Sequence, residues 1–193
     1  VSQLCTLNDV KVYGGITTTA DDAAITALIT QASGQIEQYC NRTFAQAAYT
    51  ETRNGRDTET LYMRQQPIVS VQSLTIDGIT IQASPDTRSY GYVFDDAQLY
   101  LRGTARGPYG QPGRFVRGFQ NITVAYTAGF QTIPADVVQA CVELVLWKRA
   151  KRTRIDNTSQ ALGDQQTQAY DLSAMPKSVA AALSSYRVPM VPA

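Results

Sequence analysis

The 193-residue chain contains no histidine. That absence removes Ser–His and Cys–His nucleophilic pairs and most metal sites, which use imidazole as base or ligand. Cysteine is scarce: Cys5, Cys40 and Cys141 are widely spaced and odd in number. Cys40 and Cys141 fall on apolar helical faces, so these residues read as small hydrophobes in a reducing compartment rather than as disulfides. No apolar run approaches the roughly 20 residues that a membrane span needs, and the opening residues lack the pattern of a signal peptide, so no membrane partner is expected. There is no CxxC, no GxSxG and no phosphate loop. Asp21-Asp22 and Asp95-Asp96 are paired carboxylates, but a helix first turn and a tight turn account for them. The expectation is a protein that is not an enzyme and holds no metal or cofactor.

What is present is an uneven charge. The total is +1, yet residues 1–96 carry 6 basic and 11 acidic side chains (−5) and residues 97–155 carry 9 and 2 (+7). Such asymmetry serves nucleic acid, or pairs one copy's basic part with another's acidic part. The length suits one domain, or one with an elaborated insertion, able to bury roughly 70% of its unfolded surface.

Periodicity divides the chain into an α+β arrangement. Residues 1–43 form an N-terminal helical segment. Leu4–Tyr13 reads as a short helix or turn ended by Gly14-Gly15. Thr19–Asp22 fits a capping box ahead of a helix carrying Ile25, Leu28, Ile29, Ala32, Ile36, Tyr39 and Cys40. Residues 44–130 read as an inserted antiparallel sheet domain of short strands, with Asp77-Gly78 as a hairpin turn. Gly103–Gly113, with Arg106 in it, is a basic glycine-rich loop. Residues 131–193 hold a long central helix, a glutamine-rich polar loop (156–175) without helical or strand period, a C-terminal helix after Pro176, and an extended tail.

The central helix starts at Ile133-Pro134 and is apolar around more than half its circumference, with Val138, Cys141, Leu144 and Val145 as its expected core. Beyond Trp147 it changes character: Lys148, Arg149, Lys151, Arg152 and Arg154 are five cations in seven residues. Lysine and arginine are almost never buried unpaired, so this end is expected to leave its own core and point outward. The alternative is that the cations complement the helix dipole. Arg106, Arg149, Arg152 and Arg154 are the candidates for contact with DNA or with a neighbouring subunit. Val188, Met190 and Val191, in a tail that Pro189 and Pro192 keep extended, are candidate anchors for a partner.

An ordered set of motifs runs through the chain: Leu7-Asn8-Asp9-Val10-Lys11, then Leu28-Ile29, Ala32-Ser33, Ile36-Glu37 and Tyr39, then Asn41-Arg42-Thr43-Phe44. Pro67-Ile68-Val69-Ser70-Val71 leads into the Asp77-Gly78 hairpin. Tyr126-Thr127-Ala128-Gly129-Phe130 precedes Ile133-Pro134, Leu162-Gly163-Asp164 lies in the polar loop, and Tyr186-Arg187 closes the last helix. This set resembles the head–tail connector (adaptor, head-completion) family of long-tailed bacteriophages. The resemblance implies a structural virion protein, assembled in the host cytoplasm and placed in the neck. It implies a ring, commonly of twelve copies, that binds the portal, extends the channel for double-stranded DNA without reading its sequence, and receives a downstream neck or tail protein. Val188, Met190 and Val191 would then be the portal anchors. Gly103–Gly113 is longer than the family's usual turn. Two other classes remain open: a DNA-binding packaging accessory protein, and another neck or tail ring such as a tail terminator.

Overall fold

The computed structural model describes residues 2–86, 89–102, 113–152, 159–162, 166–169 and 174–188. The chain divides into two compact units. One joins residues 1–41 to 133–187, and the other holds residues 42–132 together with Val188.

The first unit is helical. Helix α1 (Leu7–Gly14) opens on a capping box: the Asp9 N–H donates to Thr6 Oγ1 at 3.2 Å and the Thr6 N–H donates back to Asp9 Oδ2 at 2.8 Å. It closes at Gly15, whose φ of 62° suits a residue without a Cβ. Helix α2 (Asp22–Cys40) buries Ile25, Ile29, Ala32, Ser33, Ile36 and Cys40, a stripe at helical spacing. The capping box expected at Thr19–Asp22 does not form. The N-cap is Asp21, without a side-chain cap bond. Asp21 and Asp22 instead take Arg149 and Lys11, because a charge-assisted bond is roughly twice as strong as a neutral one.

Helix α3 (Ala135–Lys151) packs against α1, α2 and α4 (Lys177–Leu183). It buries Val137, Ala140, Cys141, Val142, Leu144 and Val145. Val138, expected in the core with Cys141, Leu144 and Val145, is only half-buried, since it lies one turn nearer the helix start than Val142. Of the polar loop expected at 156–175, two segments are strands: β8 (Ser159–Leu162) pairs antiparallel with β9 (Gln166–Ala169). This corrects the reading of a stretch without strand structure. A glutamine-rich hairpin is made by backbone pairing and leaves no alternation of apolar residues to detect.

Among the described residues the strands of the second unit pair antiparallel, with isolated parallel bridges at Ala45–Phe130 and Ala83–Tyr92. Strands β1 (Ala47–Gly55), β7 (Gly118–Ala128), β3 (Ile68–Ile76) and β4 (Ile79–Ile81) form one sheet in that spatial order. Strands β2 (Thr60–Tyr62), β6 (Gln98–Arg102) and β5 (Gly91–Phe94) form a second. On β7, Ile122, Val124, Tyr126 and Ala128 are buried and their neighbours are not, the period of a strand with one covered face. They join Leu61, Met63, Leu74, Leu99 and Phe115 in one core. The β3–β4 hairpin turns at Asp77 (φ 52°) and Gly78 (φ 78°), both left-handed as a two-residue hairpin requires.

Candidate functional site

The cationic end of α3 is held by its own unit rather than pointed away from it. Arg149 Nη2 meets Asp21 Oδ2 at 2.8 Å, and Lys11 Nζ meets Asp22 Oδ1 at 2.8 Å. The bond from Arg149 holds the Asp21 carboxyl below its ordinary range, with Arg152 contributing from farther away. Lys151 Nζ lies over the Trp147 ring, 3.8 Å from its centroid, a cation–π contact that folds the side chain back. The expectation that the helix carries its charge outward past Trp147 is therefore corrected. The helix ends at Lys151, and Arg149 is paired with an acid 128 residues away in sequence. Arg152 is exposed. Arg106 and Arg154 lie outside the described residues.

A second feature stands at one end of the four-stranded sheet. The β1–β7 ladder pairs Arg53 with Ile122 and then Gly55 with Gly118, so Asn54 alone opposes Phe119, Gln120 and Asn121. This wide bulge is fastened on both sides. The Gln120 N–H donates to Asn54 Oδ1 (2.7 Å), the Gly55 N–H to Asn121 Oδ1 (2.9 Å), and Asn121 Nδ2 to the Val116 carbonyl (3.1 Å). Gln120 has a φ of 50°, a cost that persists only where surrounding bonds impose it. A Cβ on Gly55 would stand 1.7 Å from the Val116 oxygen, so that position excludes a side chain. The result is that Phe119 is 82% exposed on a rigid mount, with Arg117 exposed beside it. On α1, Val12 and Tyr13 are also exposed, at 74% and 57%. Sequence reasoning missed Phe119 because it falls inside the stretch Phe115–Tyr126 read as one strand, on the face opposite Ile122, Val124 and Tyr126. Gly118 and the Gln120-Asn121 pair, which break the alternation, are the signal that could have marked it.

Two buried polar clusters in the second unit hold the fold. The Arg42 guanidinium lies 5.2 Å and 5.1 Å from the Phe44 and Phe130 ring centroids and donates to the Gln66 carbonyl. Tyr126 Oη donates to Glu51, whose carboxylate also accepts from the Arg64 N–H at 3.2 Å. Burial, and then Glu51, push the Tyr126 phenol above its ordinary value. Among the described residues no group of His, Cys, Asp or Glu could hold a metal ion, and no helix is long and apolar enough to cross a membrane.

The proposed tail anchors divide. Val188 is 6% exposed, so its apolar surface is already covered by its own chain, and its reading as a free anchor is corrected. Met190 and Val191 lie outside the described residues.

A protein-family model described as "Head completion protein" matches residues 3–188. No curated protein matches the chain. Among solved structures, a chain from the neck of an empty GTA particle, computed with C6 symmetry, matches with a TM-score of 0.60 at 17% identity, covering 98% of this chain and 92% of that one. A chain from the neck of a native GTA particle, computed with C12 symmetry, matches at 0.54 and 16% identity, covering 89% and 85%. A chain from the virion of a native gene transfer agent particle matches at 0.53 and 18%, covering 91% and 82%. At such identities the likeness is one of fold.

Proposed function

The chain belongs to the head completion protein family, whose members are structural virion proteins and not enzymes, and from that membership we propose that it forms the neck ring joining a DNA-filled head to its tail. The observation that carries this reading is coverage: one family model runs from residue 3 to residue 188, so both units are accounted for together. The C6 and C12 symmetries of the necks that share the fold favour a closed ring, with twelve copies as the preferred count. A ring needs a head-to-tail contact in which each copy presents one surface and receives another. Phe119 on its bulge, and Val12 with Tyr13 on α1, are the most exposed large apolar side chains among the described residues and are available for such contacts.

In this reading the ring sits beneath the portal and continues the channel for double-stranded DNA. Arg152, with Arg106 and Arg154, meets phosphate without reading sequence. Arg149, tied to Asp21, fixes the helix end instead of reaching into the bore. Met190 and Val191, beyond the buried Val188, are the remaining portal anchors, and the opposite rim receives the downstream neck or tail protein.

The test is co-sedimentation of purified chain with tail-less, portal-bearing, DNA-filled heads. The expected result is saturable binding at one ring per head, lost when residues 189–193 are removed although the truncated chain melts unchanged. A folded full-length chain that fails to bind such heads at low salt would overturn the proposal.

A further inference from the structure

The interior of the first unit holds a chemistry that neck assembly does not use. Cys5 Sγ and Cys141 Sγ are 3.2 Å apart, and both thiols are free and buried. A disulfide bond is about 2.05 Å long, so the two sulfurs need approach by only about 1.2 Å to bond. One hydroxyl keeps them in register. Ser33 Oγ accepts the Leu4 N–H at 3.0 Å, which fixes the backbone beside Cys5, and lies 3.7 Å from Cys141 Sγ. Ser33 is itself fully buried, so this arrangement is built into the packing of α2 against α3 and is not a surface accident. The third thiol, Cys40, is occupied elsewhere, donating to the Leu183 carbonyl at 3.9 Å.

We propose that Cys5 and Cys141 form an oxidative cross-linking site that hydrogen peroxide closes into a disulfide, stapling the segment before α1 to α3. The Cys5 thiol donates to Cys141, which pulls the Cys141 thiol below its ordinary value against the effect of burial, with Ser33 adding to it. Either thiol can react first, Cys5 resolving when the first is Cys141. In that order the Cys141 sulfur attacks one peroxide oxygen and the O–O bond breaks. Cys141 becomes a sulfenic acid, and the leaving hydroxide combines with the proton that Cys141 lost. Cys5 Sγ then attacks the oxidised sulfur. The S–S bond forms, the S–O bond breaks, and hydroxide leaves with the Cys5 proton as a second water. Two thiols supply two electrons, and one peroxide becomes two waters.

Access comes from the segment before α1, which carries Cys5 and is fastened by the Leu4–Ser33 bond and by Ser2 Oγ donating to Glu37 Oε1 at 2.8 Å. A short non-helical segment held this way opens locally far more often than a domain unfolds. Once stapled, the segment can no longer peel away from α3. The setting in which this matters, a particle that has left the reducing interior of a cell, rests on the neck reading; the chemistry does not.

The experiment treats reduced full-length protein with hydrogen peroxide under native conditions, alkylates it in denaturant, and maps the peptides by mass spectrometry. The expected result is a Cys5–Cys141 cross-linked peptide, a whole-chain mass lower by two hydrogens, and Cys40 recovered alkylated. Thermal unfolding should move to higher temperature and return when a dithiol reductant is added. Cys5→Ser should abolish the cross-link and leave Cys141 to oxidise further, to the sulfinic acid. Recovery of both thiols alkylated after peroxide treatment, or a native cross-link that includes Cys40, would overturn the proposal. The wild-type peptide map decides this even if the variant folds poorly, and head binding measured without oxidant is unaffected by either outcome.

Discussion

Arg42 is 9% exposed, a charge brought inside by two aromatic rings and a carbonyl. Desolvated cation–π contacts are worth about 2 kcal/mol, and a hydrogen bond from a charged donor about 1.5–3. Arg42→Ala is therefore expected to lower unfolding stability in urea by about 3 kcal/mol, with Arg42→Lys recovering less than half. A loss below about 1 kcal/mol would mean that the guanidinium adds little to the packing. Acidity gives a second expectation. Thr6 holds the Asp9 carboxyl below its ordinary value through its backbone N–H, and Arg149 does the same to Asp21. Carboxylates depressed in the folded state contribute stability that is full above the unfolded value, about 3.9, and fades as pH falls through the folded values. Stability should thus hold from neutral pH down to about 4 and decline below it, and Asp21→Asn should flatten that decline; an unchanged acid limb would contradict the Arg149 contact. At this scale the sequence is half legible. The spacing of Cys141, Leu144 and Val145 identifies their burial. The Asp21–Arg149 pair is invisible because it forms between two helices whose packing no local pattern encodes.

Strands are the most legible elements, since a sheet with one covered face writes its alternation directly into Leu74/Ile76 and Ile122/Val124/Tyr126. Helix ends are less so. The capping box forms at Thr6–Asp9 ahead of α1, which the sequence reading does not mark. The one expected at Thr19–Asp22 ahead of α2 gives way to the ion pairs of Asp21 with Arg149 and Asp22 with Lys11. The β8–β9 pair is not legible, because its sequence carries no strand period. The Asn54–Asn121 bulge carries the sharpest prediction for an element. Phe119→Ser removes a ring that is already in solvent, so the unfolding free energy should change by less than about 0.5 kcal/mol while binding to portal-bearing heads weakens at least tenfold. Gly55→Ala forces a Cβ onto the Val116 carbonyl and should lose both stability, by about 1–3 kcal/mol, and binding. Heads that bind the Phe119→Ser chain as tightly as wild type would remove the bulge from the assembly surface.

For the whole molecule, the divided charge that stands out in the sequence is partly consumed inside the chain: Arg149 pairs with Asp21, and Arg114 with Asp57. Less is left for contacts between copies than the bare count of +7 against −5 suggests, so assembly is expected to loosen only partly at 1 M salt, where screening shortens to about 3 Å. Complete dissociation of head-bound chain at that salt would point back to charge as the main contact. The α+β class is legible because helical and strand periods fall in separate blocks, whereas the surfaces that meet a partner leave no period at all. The central claim is that the chain joins head to tail. Filled heads produced without it should accumulate tail-less, and adding purified chain together with free tails should restore tailed, infectious particles to near the normal yield. Tailed particles that form equally well in its absence would contradict the claim.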